Sequence, residues 1–126
     1  MASDKKLDSD VMQCRFLEGV RRRCPDNILV LESLGDLYTR TGMIEEGLVI
    51  DRELTSRHPD NETYWYNLAC SYSLLGQKET AITAIKRAVN LGYDDIDWML
   101  KDADLNGIRT EAEFLAIIDF LKQRAD

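Results

Sequence analysis

The sequence contains only two prolines, one histidine and three cysteines in 126 residues, and each shortage argues against a class of protein. The cysteines are odd in number and form no CxxC pair, which argues against a disulfide framework and favours a reducing compartment. A single histidine without paired cysteines argues against a zinc site. Because prolines and glycines are few, there is little room for disordered linkers, and we expect one domain over residues 1–126.

Long apolar runs are also missing, and no stretch approaches the ~20 residues that a membrane-spanning helix needs. The N-terminus lacks the apolar core of a signal peptide, so we expect a cytoplasmic protein. The net charge of −7 argues against nucleic acids and anionic membranes as partners, since both require cationic surfaces. No phosphate-binding glycine loop or nucleophile elbow occurs, and we predict a protein that is not an enzyme and holds no cofactor.

What the sequence does contain is a 34-residue period between Pro25 and Gly92. The segment Pro25-Asp26-Asn27 aligns with Pro59-Asp60-Asn61 when the chain is shifted by one period. Four further identities follow: Leu34 with Leu68, Tyr38 with Tyr72, Gly42 with Gly76, and Glu45 with Glu79. Apolar residues within each period recur at the i, i+3, i+4, i+7 spacing of amphipathic helices, and the shared glycines mark the turn between two helices.

Two helices in 34 residues resemble a tetratricopeptide repeat. The second unit carries the pattern at Trp65, Leu68, Ala69, Tyr72, Gly76, Ala81 and Ala88, and the first at Leu34, Gly35, Tyr38, Gly42, Gly47 and Pro59. The resemblance implies an all-α fold, a right-handed superhelix of antiparallel helix pairs with six to seven helices. It divides the chain into an N-terminal helix (9–24), repeat 1 (25–58), repeat 2 (59–92) and closing helices (93–126).

The flanking segments do not follow the period, and their elements are predicted separately. The N-terminal helix begins near Asp10, and its predicted apolar stripe is Met12, Phe16, Leu17 and Val20. The last helix is predicted from Thr110, as N-cap, to Arg124, with Phe114, Ile117, Ile118 and Leu121 as its stripe. The run from Asp104 to Phe114 resembles the closing segment that follows such repeats in small bacterial proteins. In repeat 1, Asp51 stands where such repeats usually carry an aromatic or large aliphatic residue, which predicts a thinner or locally polar seam.

The resemblance also implies a function, because such repeats bind partner proteins in a concave groove lined by the first helix of each pair. The groove residues expected from this geometry are Leu29, Glu32, Asp36, Arg40, Thr63, Tyr66, Asn67, Cys70 and Ser73. Relatives that capture the acidic C-terminal peptides of heat-shock chaperones carry cations there. Here Glu32 and Asp36 would repel a carboxylate. We therefore expect a cationic or mixed peptide, with an anchor on Tyr66.

Two alternative functions follow from other features of the sequence. Two and a half repeats are close to the minimum for stability, so the exposed ends favour a homodimeric scaffold. Residues 102–113 fit the calcium-loop pattern D-x-[DN]-x-[DN]-G-x5-E. Its oxygen ligands would be Asp102, Asp104, Asn106 and Glu113. Arg109 would place a cation beside the ion, and the closing segment accounts for the same residues without metal.

Overall fold

The computed structural model describes residues 2–125, which form seven α-helices joined by short turns. The helices are α1 (Ala2–Arg23), α2 (Ile28–Arg40), α3 (Ile44–Arg57), α4 (Glu62–Leu74), α5 (Lys78–Asn90), α6 (Ile96–Lys101) and α7 (Ala112–Ala125). A 3₁₀ turn, Ala103–Leu105, separates α6 from α7. From α1 to α5 each helix packs against the next one in the chain. This order of stacked helix pairs confirms the predicted all-α solenoid.

The 34-residue period is visible in the backbone as well as in the sequence. The side chains of Asn27 and Asn61 cap α2 and α4 in the same way, each accepting a hydrogen bond from the N–H three residues ahead. The turns that follow these helices contain Gly42 and Gly76, which have φ values of +82° and +76°. Only glycine adopts such angles without strain, so these turns are fixed by the sequence locally.

Close packing within repeat 1 explains two mid-helix glycines. A Cβ added to Gly35 would lie 3.3 Å from Ile50 Cγ2, and a Cβ on Gly47 would lie 3.2 Å from Thr39 Oγ1. Both distances are tighter than ordinary van der Waals contact, so α2 and α3 approach more closely than larger side chains would allow. These two glycines are therefore contact points between α2 and α3.

The apolar core forms two neighbouring clusters, one for each repeat. The first contains Cys14, Val30, Leu31, Leu34, Leu37, Tyr38, Ile50, Leu54 and Tyr64. The second is centred on α4 and α5 and is closed by the C-terminal segment, where Met99, Leu105, Ile108 and Phe114 are fully buried. The predicted stripe of the last helix is confirmed, since Phe114, Ile117, Ile118 and Leu121 are all buried.

The prediction for the N-terminal helix was wrong in its start and in half of its buried stripe. Helix α1 begins at Ala2, and Met12 and Phe16 are 70% and 67% exposed. The face that contacts α2 instead presents Cys14, with Leu17 and Val20 partly buried beside it. A terminal helix has one neighbour, so only a narrow stripe is buried. Polar contacts also orient α1 on α2, including the 2.5 Å hydrogen bond from Tyr38 Oη to Glu18.

The predicted N-cap of the last helix is also corrected. Helix α7 begins at Ala112, and the N–H of Leu115 donates to the carbonyl of Glu111 at 3.0 Å. Glu111 therefore occupies the cap position, and Thr110 lies before it. The side chain of Glu113 does not complete a capping box in this arrangement, because it accepts a 2.6 Å hydrogen bond from Lys86 on α5.

Candidate functional site: an acidic groove

A cavity of about 370 Å³ opens between the first helices of the two repeats. Helix α2 contributes Glu32, Gly35, Asp36 and Thr39, and α3 contributes Asp51 and Leu54. Helix α4 contributes Thr63, Tyr64, Tyr66, Asn67 and Cys70, and the closing segment adds Trp98, Asp102 and Asp104. We call this cavity the acidic groove, because five of its lining residues are carboxylates and none of the described lining residues is lysine or arginine.

Six of the nine residues predicted for the groove line this cavity: Glu32, Asp36, Thr63, Tyr66, Asn67 and Cys70. The other three lie outside its lining. Leu29 is 72% exposed and does not line the cavity. Arg40 also lies outside the cavity lining and pairs with Asp36 at 3.5 Å, while Ser73 is buried beneath Gly107. Leu29 and Arg40 lie too near the ends of α2 to reach the cavity, and Ser73 is covered by the closing segment.

The closing segment supplies groove residues that the repeat pattern does not identify. Asp102 is buried, and its Oδ2 accepts a 2.7 Å hydrogen bond from the hydroxyl of Tyr66. The Tyr66 ring stacks on Tyr93 with ring centres 4.2 Å apart. The calcium-loop pattern did single out Asp102 and Asp104, but nothing in it placed them against α4. Their position adds two carboxylates to the second half of the groove.

Glycine at position 107 explains how the closing segment reaches the groove. A Cβ there would lie 3.2 Å from the carbonyl oxygen of Ser73, at the end of α4. The absence of a side chain lets the loop lie directly on that backbone. The burial of Leu105 and Ile108 on either side of Gly107 then fixes the segment against α4 and α5.

The calcium-loop residues have partners of their own. Asn106 accepts a 2.5 Å hydrogen bond from Arg109, whose guanidinium also donates to the carbonyl of Asp102. Glu113 is paired with Lys86 on a neighbouring helix. Calcium needs oxygen ligands that converge on the ion. Arg109 places a cation inside the loop and Glu113 is engaged by Lys86, so this geometry is disfavoured. Calcium binding by this loop stays an untested alternative.

One group of side chains does bring potential metal ligands together. The Cys70 sulfur and one carboxylate oxygen each from Asp102 and Asp104 lie within 4.8 Å of one another. Metal ions bind the thiolate, whereas burial and the neighbouring carboxylates raise the pKa of Cys70 well above its usual range. Asp102 already accepts from Tyr66, from the N–H of Asp104 and, at 3.7 Å, from the Cys70 thiol. The group therefore behaves as a hydrogen-bonded network.

Asp51 is the most unusual residue of the groove. It is 5% exposed, and its Oδ2 accepts a 2.6 Å hydrogen bond from the hydroxyl of Ser71 on α4. Burial raises the pKa of Asp51 from 3.8 to about 6, while the Ser71 bond partly opposes the shift. At the equivalent position of repeat 2 stands Ile85, which is fully buried in the apolar core. The predicted polar seam is thus present, and it opens into the groove.

Stacked helix pairs with a groove on one side define the class of helical-repeat proteins. Residues 62–91 match the family model of the tetratricopeptide repeat, which supports the resemblance seen in the sequence. It is also similar to a chloroplastic protein of Arabidopsis thaliana, with 30% identity over 80 residues. That match covers 61% of this chain and 24% of the relative, so the chain spans about a quarter of the relative's length.

Proteins with this repeat are in general protein-interaction modules, and the family is generally non-catalytic. None of the helices within residues 2–125 combines the length and apolarity needed to cross a bilayer.

Proposed function

We propose that the protein is a non-catalytic interaction module that binds a positively charged segment of a partner protein in the acidic groove. The observation that carries the proposal is the composition of the groove, in which five carboxylates face a cavity whose described lining contains no lysine or arginine. A volume of about 370 Å³ is at the lower end of the range for small-molecule pockets. Such a volume is suited to a few side chains of a peptide.

The charges of the groove argue for this partner and against the acidic C-terminal peptides that some relatives bind. Glu32 accepts a 2.5 Å hydrogen bond from Tyr64, and Asp36 is balanced in part by Arg40 at the rim. The groove carboxylates as a group lack matching cations, so a partner that brings lysine or arginine gains attraction and a carboxylate meets repulsion. Tyr66 and the half-exposed Trp98 offer aromatic surface for the apolar parts of such a partner.

The proposal is tested by selecting a random peptide library on the wild-type protein and measuring the affinity of the selected peptides. We expect selected sequences to be rich in lysine or arginine, and to bind more weakly as salt screens the charges. The double variant Glu32→Lys/Asp36→Lys is expected to weaken them at least ~10-fold. A matched control is Asp97→Lys/Asp119→Lys, which changes net charge equally at exposed positions outside the groove.

The proposal fails if no peptide family is enriched. It also fails if the selected peptides bind the groove variant and the control variant with equal affinity.

Self-association is a second candidate, supported by the exposed end of the solenoid. Met12 and Phe16 project from α1 at 70% and 67% exposure, one helical turn apart on the same face. Apolar side chains in such a position invite a second copy of the chain to cover them. Light scattering over a concentration series tests this function. A dimer that becomes monomeric in Met12→Gln/Phe16→Gln supports it, and a wild-type protein that is monomeric at all concentrations excludes it.

A further inference from the structure

The floor of the acidic groove contains a carboxylate oxygen that has no partner within the described residues. Asp51 is 5% exposed, and its Oδ2 is occupied by the hydroxyl of Ser71. No donor within residues 2–125 contacts its Oδ1, and this oxygen is not among the fully buried polar atoms that lack a partner, so it is open to solvent. Asp51 also lines the cavity, so this oxygen can be reached from the groove.

The absence of a side chain at Gly35 leaves this oxygen uncovered on the side of α2. A Cβ added to Gly35 would lie 3.4 Å from Asp51 Oδ1, and Gly35 itself lines the cavity. The same Cβ would lie 3.3 Å from Ile50 Cγ2, so position 35 has little room for a side chain, and any larger residue there would stand against the unpartnered oxygen. Leu54 also lines the cavity and offers an apolar wall.

A purely structural role does not account for a carboxylate at this position. An asparagine could accept the same hydrogen bond from Ser71 without a buried charge. The raised pKa of Asp51, about 6, shows that the folded chain by itself disfavours the charged form. The equivalent Ile85 of repeat 2 shows that an apolar residue suits the same place in the helix pair. A cation supplied from outside the chain would stabilise the charged form of Asp51.

We propose that Asp51 Oδ1 is the terminal contact of a subsite for one lysine side chain of the bound partner, which enters the groove past Gly35. The inference rests on the proposed function and specifies the chemistry of that partner. Lysine fits better than arginine because Ser71 already occupies Oδ2, and a guanidinium needs both oxygens for its two-bond geometry. The aliphatic part of the lysine would pack on Leu54, as long charged side chains commonly do on apolar walls.

The test uses n-butylammonium chloride, an analogue of the lysine side chain, in an NMR titration of the full chain at pH 7.5 and constant ionic strength. The amide signals of Gly35, Asp51 and Ser71 report on the subsite. We expect saturable shifts in the millimolar range with n-butylammonium, weaker binding of n-butylguanidinium, and no saturable shift with n-butanol. In Asp51→Asn the n-butylammonium affinity is expected to fall at least ~10-fold.

Two further variants complete the design. Asp119→Asn removes one exposed carboxylate on α7, outside the groove, and is expected to leave n-butylammonium binding unchanged. Gly35→Ala places a Cβ over Asp51 Oδ1 and is expected to reduce binding while Asp51 keeps its charge. The subsite is excluded if wild type shows no saturable shift up to about 100 mM n-butylammonium, or if wild type and Asp51→Asn bind it equally. Unchanged binding by a folded Gly35→Ala protein contradicts the proposed route.

The outcomes for the subsite and for the proposed function are separable. If cationic peptides are selected and depend on Glu32 and Asp36, but n-butylammonium does not bind at Asp51, only the lysine subsite is lost. If n-butylammonium binds at Asp51 but the peptide selection yields nothing, the subsite stands as a cation site and peptide binding in the groove is refuted.

Discussion

The hydroxyl of Ser71 donates a 2.6 Å hydrogen bond to the buried carboxylate of Asp51, which joins α4 to α3 across the boundary between the two repeats. The bond partners a group that would otherwise be isolated in the core. It leaves one oxygen of Asp51 facing the acidic groove. The same pair of residues therefore concerns both the stability of the free protein and the chemistry of its groove.

Asp51→Asn should stabilise the free protein at neutral pH. The pKa of Asp51 is raised from 3.8 to about 6, so the folded state binds the proton more tightly than the unfolded state. The contribution of Asp51 to stability is then fully present below pH 4 and is lost as pH rises to about 6. Above that, we expect Asp51→Asn to be more stable than wild type by about 1–3 kcal/mol.

Urea unfolding of both proteins between pH 4 and pH 8 measures this difference. The two free energies of unfolding should converge toward pH 4, because the protonated acid and the amide are then both neutral. A difference that does not depend on pH would contradict the assigned pKa shift.

Ser71→Ala should destabilise the protein, in contrast to Asp51→Asn. It removes the donor to Asp51 Oδ2 and leaves the buried carboxylate without a partner, which costs about 1–3 kcal/mol. At pH 8, Ser71→Ala should cost less stability in an Asp51→Asn background than in the wild-type protein. The reason is that an uncharged amide without this donor tolerates burial better than a carboxylate does. A double-mutant cycle by urea unfolding measures the coupling energy, and strict additivity of the two changes would argue against a direct interaction.

Tyr66→Phe tests the network that fixes the closing segment to the groove. The variant removes the 2.7 Å hydrogen bond to Asp102 while keeping the ring that stacks on Tyr93. We expect a loss of about 1–3 kcal/mol in the free energy of unfolding, because the buried Asp102 loses a donor. Tyr72→Phe is the matched control, since no hydrogen bond of its hydroxyl is found within the described residues. Equal effects of the two variants would refute the proposed contribution of the Asp102 bond.

Gly107→Ala should displace the closing segment from the groove. The added Cβ would lie 3.2 Å from the Ser73 carbonyl oxygen, which belongs to the backbone and cannot move alone. We expect a destabilisation of about 1–3 kcal/mol, measured by thermal unfolding. Gly19→Ala in α1 provides the contrast, because its nearest neighbour is the end of the Arg22 side chain at 3.7 Å. Replacing that mid-helix glycine should raise stability by ~0.5–1 kcal/mol.

Millimolar calcium should leave the fluorescence of Trp98 unchanged. Trp98 lines the groove next to the loop of residues 102–113, so ion binding there would alter its surroundings. The guanidinium of Arg109 already contacts the loop, and Glu113 is engaged by Lys86. The titration is best done in a Trp65→Phe background, which leaves a single tryptophan to report. A saturable signal that disappears in Asp104→Asn would restore the calcium site.

Much of the fold could be predicted because its determinants are local. The helix caps Asn27 and Asn61, the turn glycines Gly42 and Gly76, and the apolar spacing of α2 to α5 act within a few residues of chain. The face of α1 could not be predicted in this way. Met12 and Phe16 are as apolar as Cys14, and only the position of α2 decides which of them is covered.

The sequence by itself determined the repeat, the sharp turns and the acidic character of the first half of the groove, since these follow from residue type and short-range spacing. Tertiary structure decided that Asp102 reaches Tyr66 across 36 residues and that Ser71 reaches Asp51 across 20. The reason is physical: burial and the identity of a distant neighbour set the charge, the hydrogen bonding and the accessibility of a side chain. Periodicity specifies only which side of its own helix that residue occupies.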